Sequence, residues 1–167
     1  MHAVAAAFRQ KLGMTNGCLP ASLLLHEVLS AHGVPSRLRH GYLVLAVPSS
    51  GASPPQLLAV AHLWVEAEVA GSLAVLDVGS ALAADAGLPS SVSTHLSHDL
   101  PPGATRADLA DPEMAASAAA AAAAMAAMAD ASITDEAGLE RMANAYWMGA
   151  PPQLQAFRQA TLQQLER

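Results

Sequence analysis

The sequence predicts an α+β domain, and three observations carry that expectation. A helix-forming stretch bracketed by Pro20 and Gly33 precedes any strand. Segments rich in β-formers follow between Leu38 and Val78, the last two separated only by a turn at Gly71-Ser72. The second half then changes to alanine, methionine and helix-capping residues. A length of 167 residues favours one domain, and 53% apolar against 13% charged residues is enough to bury a core. Aromatics reach only 4% and alanine supplies much of the apolar fraction, so that core is built from small side chains.

Taken in order, residues 2–12 read as a short amphipathic helix with Val4, Ala7, Phe8 and Leu12 near one face. Gly13 to Gly17 is a turn by composition, since glycine and Asn accept positive φ. The helix over about 19–32 starts with Pro20 in its first turn and stops at Gly33. Ala21, Leu24, Leu25, Val28 and Ala31 share one face, and Leu23 and Leu29 widen the apolar surface, so burial on most sides is expected. A strand is predicted over 38–47, then a loop over 49–56. Over 60–69, Ala61, Leu63, Val65, Ala67 and Val69 face one way and His62, Trp64, Glu66 and Glu68 the other. The turn at Gly71-Ser72 leads into LAVLDV, closing an antiparallel hairpin.

Residues 79–111 read as loop. Asp111-Pro112-Glu113 supplies an N-cap, a proline for the first helical position and an acidic first turn to an alanine-rich helix ending near Ala129. Two further helices are predicted over 134–148 and 151–167. Tyr146 and Trp147 form an apolar helix end suited to packing on the core, walling a cleft or meeting a second copy, so the C-terminal helices offer a homodimer contact.

Composition excludes several classes. Eight Lys+Arg against fourteen Asp+Glu give a formal charge of −6 with no basic block, so nothing is present to displace counterions from nucleic-acid phosphates. The single cysteine, Cys18, forbids an intramolecular disulfide and a multi-cysteine zinc site. The opening MHAVAAAFRQ lacks the leading basic patch of a signal peptide. The Ala/Met run from 115 to 129 is too short and too weakly apolar to span a bilayer. No membrane role and a cytoplasmic location are therefore expected. His95 and His98 offer two imidazoles and an unplaced Asp99, a thin basis for a metal site, so neither metal nor cofactor is predicted.

Three residues carry chemistry when considered jointly: Cys18 at a helix start, His62 in one strand and Asp77 at the end of the next. A helix N-terminus favours a thiolate, and its free amides can steady an oxyanion. An imidazole on a neighbouring strand can take the thiol proton, and a carboxylate can hold the imidazole in the useful tautomer. If residues 60–78 form the hairpin, His62 and Asp77 lie on adjacent strands near its open end, provided the register puts both on one face.

Gly17-Cys18 with the helix after it, Gly33-Val34-Pro35-Ser36-Arg37, Gly41-Tyr42, His62-Leu63-Trp64-Val65-Glu66 and Leu76-Asp77 occur in that order. In this the chain resembles the transglutaminase-like core of the papain-like cysteine enzymes over residues 13–80. Cys18-Leu19-Pro20-Ala21-Ser22-Leu23 with the His-x-Trp strand is also similar to the leader peptidases of lasso-peptide biosynthesis. The resemblance implies a helix packed on a small antiparallel sheet as a catalytic core over 1–80; the residue pattern adds a loop with three helices over 81–167, packed on that core as one domain. It implies that Cys18 is nucleophile, His62 general base and acid, and Asp77 the orienting carboxylate. Trp64 would pack beside the imidazole, and Gly17, Leu19, Trp64 and Tyr42 would meet substrate. Leu19 stands where an aromatic often follows the cysteine, Leu63 where a small residue is common, and Val78-Gly79 replaces the usual "pt" after the final aspartate; these bear on cleft shape, not on the reacting groups.

The expected activity is acyl transfer from a peptide or small-molecule substrate through a thioester, as amide hydrolase or acyltransferase. Two alternatives use the same residues: a non-catalytic module binding a peptide or protein partner in the cleft, and a thiol-assisted isomerase or lyase.

Overall fold

The computed structural model describes residues 18–49, 53–78, 91–107 and 136–165. Helix α1 (Cys18–Ala31) leads into β1 (Ser36–Val47), β2 (Gln56–Val69) and β3 (Ser72–Leu76); β4 (Ser93–Ser97), β5 (Thr105–Arg106), α2 (Glu136–Gly149) and α3 (Pro152–Leu165) follow. The fold is α+β: a curled antiparallel sheet packed by helices, with a helical C-terminal extension. The predicted helices over 2–12 and 111–129 lie outside the described residues.

Gly33 ends α1 as its sequence position implies. Its φ of +68° belongs to the left-handed region, and the Val34 and Gly33 amides return to the Leu29 and Ser30 carbonyls at 2.9 and 3.0 Å. This is the double bond of a Schellman stop, which glycine adopts without a Cβ clash. The first two turns of α1 are buried from Leu19 to Leu25, with Leu23 and Leu24 almost fully enclosed. Truncating either leucine to alanine would cost about 2–5 kcal/mol.

The sheet runs β3-β2-β1-β4, all antiparallel, and β5 adds a short parallel pairing to β2. The hairpin between β2 and β3 turns through Ala70 (φ 53°) and Gly71 (φ 75°), with Val69 opposite Ser72. Two consecutive positive φ values give the primed turn whose twist matches the flanking strands.

One expectation needs correction. Residues 93–97 form a strand, not loop: β4 pairs with β1 from Ser93↔Ala46 to Ser97↔Tyr42. It is a largely exposed edge strand with no apolar alternation, so the pairing comes from β1 and not from a pattern of its own. On the face of β2 that carries His62, the residues His62, Trp64 and Glu66 are buried and Glu68 is exposed. Alternation marks which residues share a face, but not whether that face meets water.

The core joins Leu23, Leu24, Leu63 and Val65 to Leu139, Met142 and Trp147 of α2 and Leu154 of α3. Those α2 and α3 residues follow helical spacing. Pro152 opens α3 in the first helical position. Arg158 ties α3 to α1 through both Glu27 oxygens at 2.7 and 2.9 Å, and its guanidinium lies 5.0 Å from the Trp147 ring centre.

Candidate functional site

A gap along one edge of β2 positions the site. On that edge β3 pairs with residues 65–69 and β5 with 58–59, so no strand among the described residues pairs with 60–64 there. Helix α1 meets the strand at this gap, and the fully buried Ser22 donates its hydroxyl to the Leu63 carbonyl at 2.8 Å. One turn earlier in the helix stands Cys18, half-buried, at the first helical residue.

The register then decides the placement of the carboxylate. Val65 pairs with Leu76, so continuing by one residue sets Asp77 opposite Trp64. Residues opposite one another share a face, and alternation puts His62 on it too, diagonal to Asp77. His62 Nε2 and Asp77 Oδ1 are 2.8 Å apart, with the two side chains only 4% and 11% exposed.

Cys18 lies near enough to act on the ring and favours its charged form. Burial works against a charged imidazole, but the hydrogen bonds to Asp77 and Cys18 and the negative charge at both outweigh it, raising His62 from 6.5 to about 9. Tyr146 of α2 also feels the sulfur: burial first, and the charge at Cys18 second, push its phenol up to about 12. The sequence left Tyr146 open among core, cleft and interface; it packs against the core cluster, near enough to Cys18 to feel its charge.

Trp64 stacks beside His62, with ring centres 6.4 Å apart and planes inclined by 22°. Its far side meets His98, centre to centre 5.3 Å. Gly41, opposite His62 in β1, makes room for this: a Cβ there would collide with the Ser97 carbonyl oxygen and stand 2.9 Å from Trp64 Cη2. His98 is therefore a ring partner of Trp64, while His95 lies within β4 opposite Val44. Among the described residues no group of three or more His, Cys, Asp or Glu could hold a metal ion.

The remaining substrate-facing candidates divide. Leu19 follows Cys18 and is buried in the core cluster, so it faces inward. Tyr42 pairs with Ala61 and thus occupies the sheet face opposite to His62, with the Arg106 guanidinium 5.9 Å from its ring centre. The structure does not bring Tyr42 to the imidazole. Gly17 lies outside the described residues. Further along the His62 face, Arg37 and Arg39 both donate to Glu66 Oε2, at 2.8 and 2.9 Å. Burial opposes ionisation of Glu66, but the two guanidinium groups hold it below its ordinary 4.5.

Chemically, this is a hydrogen-bonded imidazole and carboxylate with a half-buried thiol nearby at the start of a helix. No protein-family model, curated protein or solved structure matches the chain. No helix among the described residues is long and apolar enough to cross a membrane.

Proposed function

We propose that this chain is a cysteine-dependent acyl-transfer enzyme with a papain-like, transglutaminase-like core. The observation that carries the reading is the His62 ring, held at Nε2 by Asp77, with Cys18 near enough to favour its charged form. An imidazole standing at about 9 keeps its proton at neutral pH, and the attack proposed here uses Cys18 as its thiolate, the nucleophilic form of the sulfur.

In the first step the Cys18 sulfur attacks a substrate carbonyl carbon, and an S–C bond forms as the oxygen takes the negative charge. Backbone amides at the start of α1 face that charge, where a helix N-terminus supplies unpaired donors. The tetrahedral intermediate collapses, the bond to the amine, alkoxide or thiolate leaving group breaks, and His62 gives that group its proton. A thioester remains on Cys18. Water or an amine then attacks it, giving a proton to His62, and S–C cleavage regenerates the resting pair. Asp77 keeps the ring in the orientation that both transfers need and balances its positive charge.

The test uses p-nitrophenyl acetate as acyl donor with the full chain. A burst of one equivalent of p-nitrophenolate is expected, together with an acetyl group on the peptide that carries Cys18. His62→Ala should slow the burst by about 100-fold or more. A burst of equal size and rate in Cys18→Ala would overturn the proposal.

A further inference from the structure

The strand register carries a second histidine to the His62 face. β1 and β4 pair Tyr42 with Ser97, and continuing by one residue sets His98 opposite Gly41, which is itself opposite His62. Residues opposite one another share a face, so the two imidazoles flank a position that has no side chain of its own. The Trp64 indole leans into that space: a Cβ on Gly41 would stand 2.9 Å from Trp64 Cη2 and 3.0 Å from His98 Cα. The indole thus lies between two imidazoles, its ring centre 6.4 Å from that of His62 and 5.3 Å from that of His98. Both distances fall in the range of roughly 4.5–7 Å over which aromatic rings attract one another.

His98 is the outer member of this row. It is exposed, whereas Trp64 is only 2% and His62 only 3% exposed. Its backbone is tied down on both sides. Before it, β4 pairs with β1, and the Ser97 hydroxyl donates across it to the Asp99 carbonyl at 2.7 Å. After it, the chain turns through Gly103 with the Ala104 amide on the Pro101 carbonyl at 3.0 Å, and Thr105 and Arg106 then pair with β2. A backbone already fixed reduces the entropy lost when the ring settles on the indole.

The hydrogen bond from Asp77 holds His62 at one atom, Nε2. It does not by itself set the plane of the ring, for which a flat neighbour is needed. Trp64, inclined by 22°, is that neighbour. We infer that His98 is a positioning residue for the acyl-transfer reaction: stacked on the outer side of Trp64, it holds the indole toward His62 and keeps the imidazole plane aligned. The role rests on the reading of Cys18 and His62 proposed above.

His98→Leu and His98→Phe separate ring stacking from bulk, and position 98 is exposed, so both are expected to fold. Imidazole NMR titration of the full chain, without acyl donor, reads the His62 midpoint. His98→Leu should lower it by about half to one pH unit from its native value of about 9, and His98→Phe, which restores a flat ring, should keep the native value. Loss of a positive charge at position 98 would move the midpoint upward, so the direction separates the two effects. With p-nitrophenyl acetate, His98→Leu should slow the burst at saturating donor about three- to tenfold and leave the half-saturating concentration unchanged, and His98→Phe should restore the native rate. Because the midpoints need no donor, they decide the role of His98 even in a chain that gives no burst. An unchanged or raised midpoint in His98→Leu, or an equal fall in His98→Leu and His98→Phe, would overturn the assignment.

Discussion

Replacing Asp77 with Asn leaves an oxygen acceptor before His62 Nε2 but removes the carboxylate charge. In the native protein, burial disfavours the imidazolium, and the interactions with Asp77 and Cys18 outweigh that cost, moving the group from 6.5 to about 9. At about 1.4 kcal/mol per pH unit, the displacement corresponds to roughly 3 kcal/mol of stability. Because the folded value is raised, this contribution is fully present below pH 6.5 and is lost as pH rises through about 9. Asp77 and Cys18 share it. Asp77→Asn should therefore lower the His62 midpoint by about one to two pH units and cost about 1–2 kcal/mol near pH 7. For a domain of this size that is a Tm loss of about 2–8 °C. Imidazole NMR titration, assigned with His62→Gln, measures the midpoint, and urea unfolding measures the stability. The gap between native and variant should close as pH rises past about 9. A variant midpoint still near 9, or a gap of equal size near pH 7 and near pH 10, would refute the reasoning.

Three further substitutions probe the scaffold around the site. Gly41→Ala should cost about 1–3 kcal/mol in urea unfolding and shift tryptophan emission, because the new Cβ meets the Ser97 carbonyl and the Trp64 ring. Ala70 holds a φ of 53° in the hairpin turn, and Ala70→Asn should raise stability by about 0.5–1 kcal/mol, read as a higher Tm. Glu66→Gln should lower stability by about 1–2 kcal/mol near neutral pH, an estimate discounted for the partial exposure of Arg37 and Arg39. Since the folded value of Glu66 is depressed, its contribution is present above 4.5 and lost as pH falls through the lower folded value. The difference between Glu66→Gln and native should accordingly vanish on the acid side of the urea profile.

Much of the first half was legible because its signals are local. Pro20 and Gly33 bound α1, and Gly71 marks the hairpin; each expresses a backbone preference of its own residue. The alternation around His62 and Trp64 placed both on one face, as their stacked rings show. What brings Asp77 to His62 is not local: it follows from the Val65↔Leu76 register, which the chain pattern alone left conditional. Still less visible was β4, whose Ser, Thr and His residues form a strand only because the edge of β1 is there to pair with. Tyr42 illustrates the reverse limit. It neighbours Gly41 in the chain, yet the pleat turns it to the other side of the sheet from the imidazole. The packing of Tyr146 against the core depends on how α2 is placed, to which no short motif speaks.

The pairing of sulfur with imidazole is tested most directly by alkylation of Cys18 with iodoacetamide near pH 6, where an ordinary thiol is only about 0.3% ionised. The native chain should react at least about tenfold faster than glutathione under the same conditions, and His62→Ala should fall to the glutathione rate. Equal rates for the native chain, His62→Ala and glutathione would contradict a Cys18 thiolate held by His62.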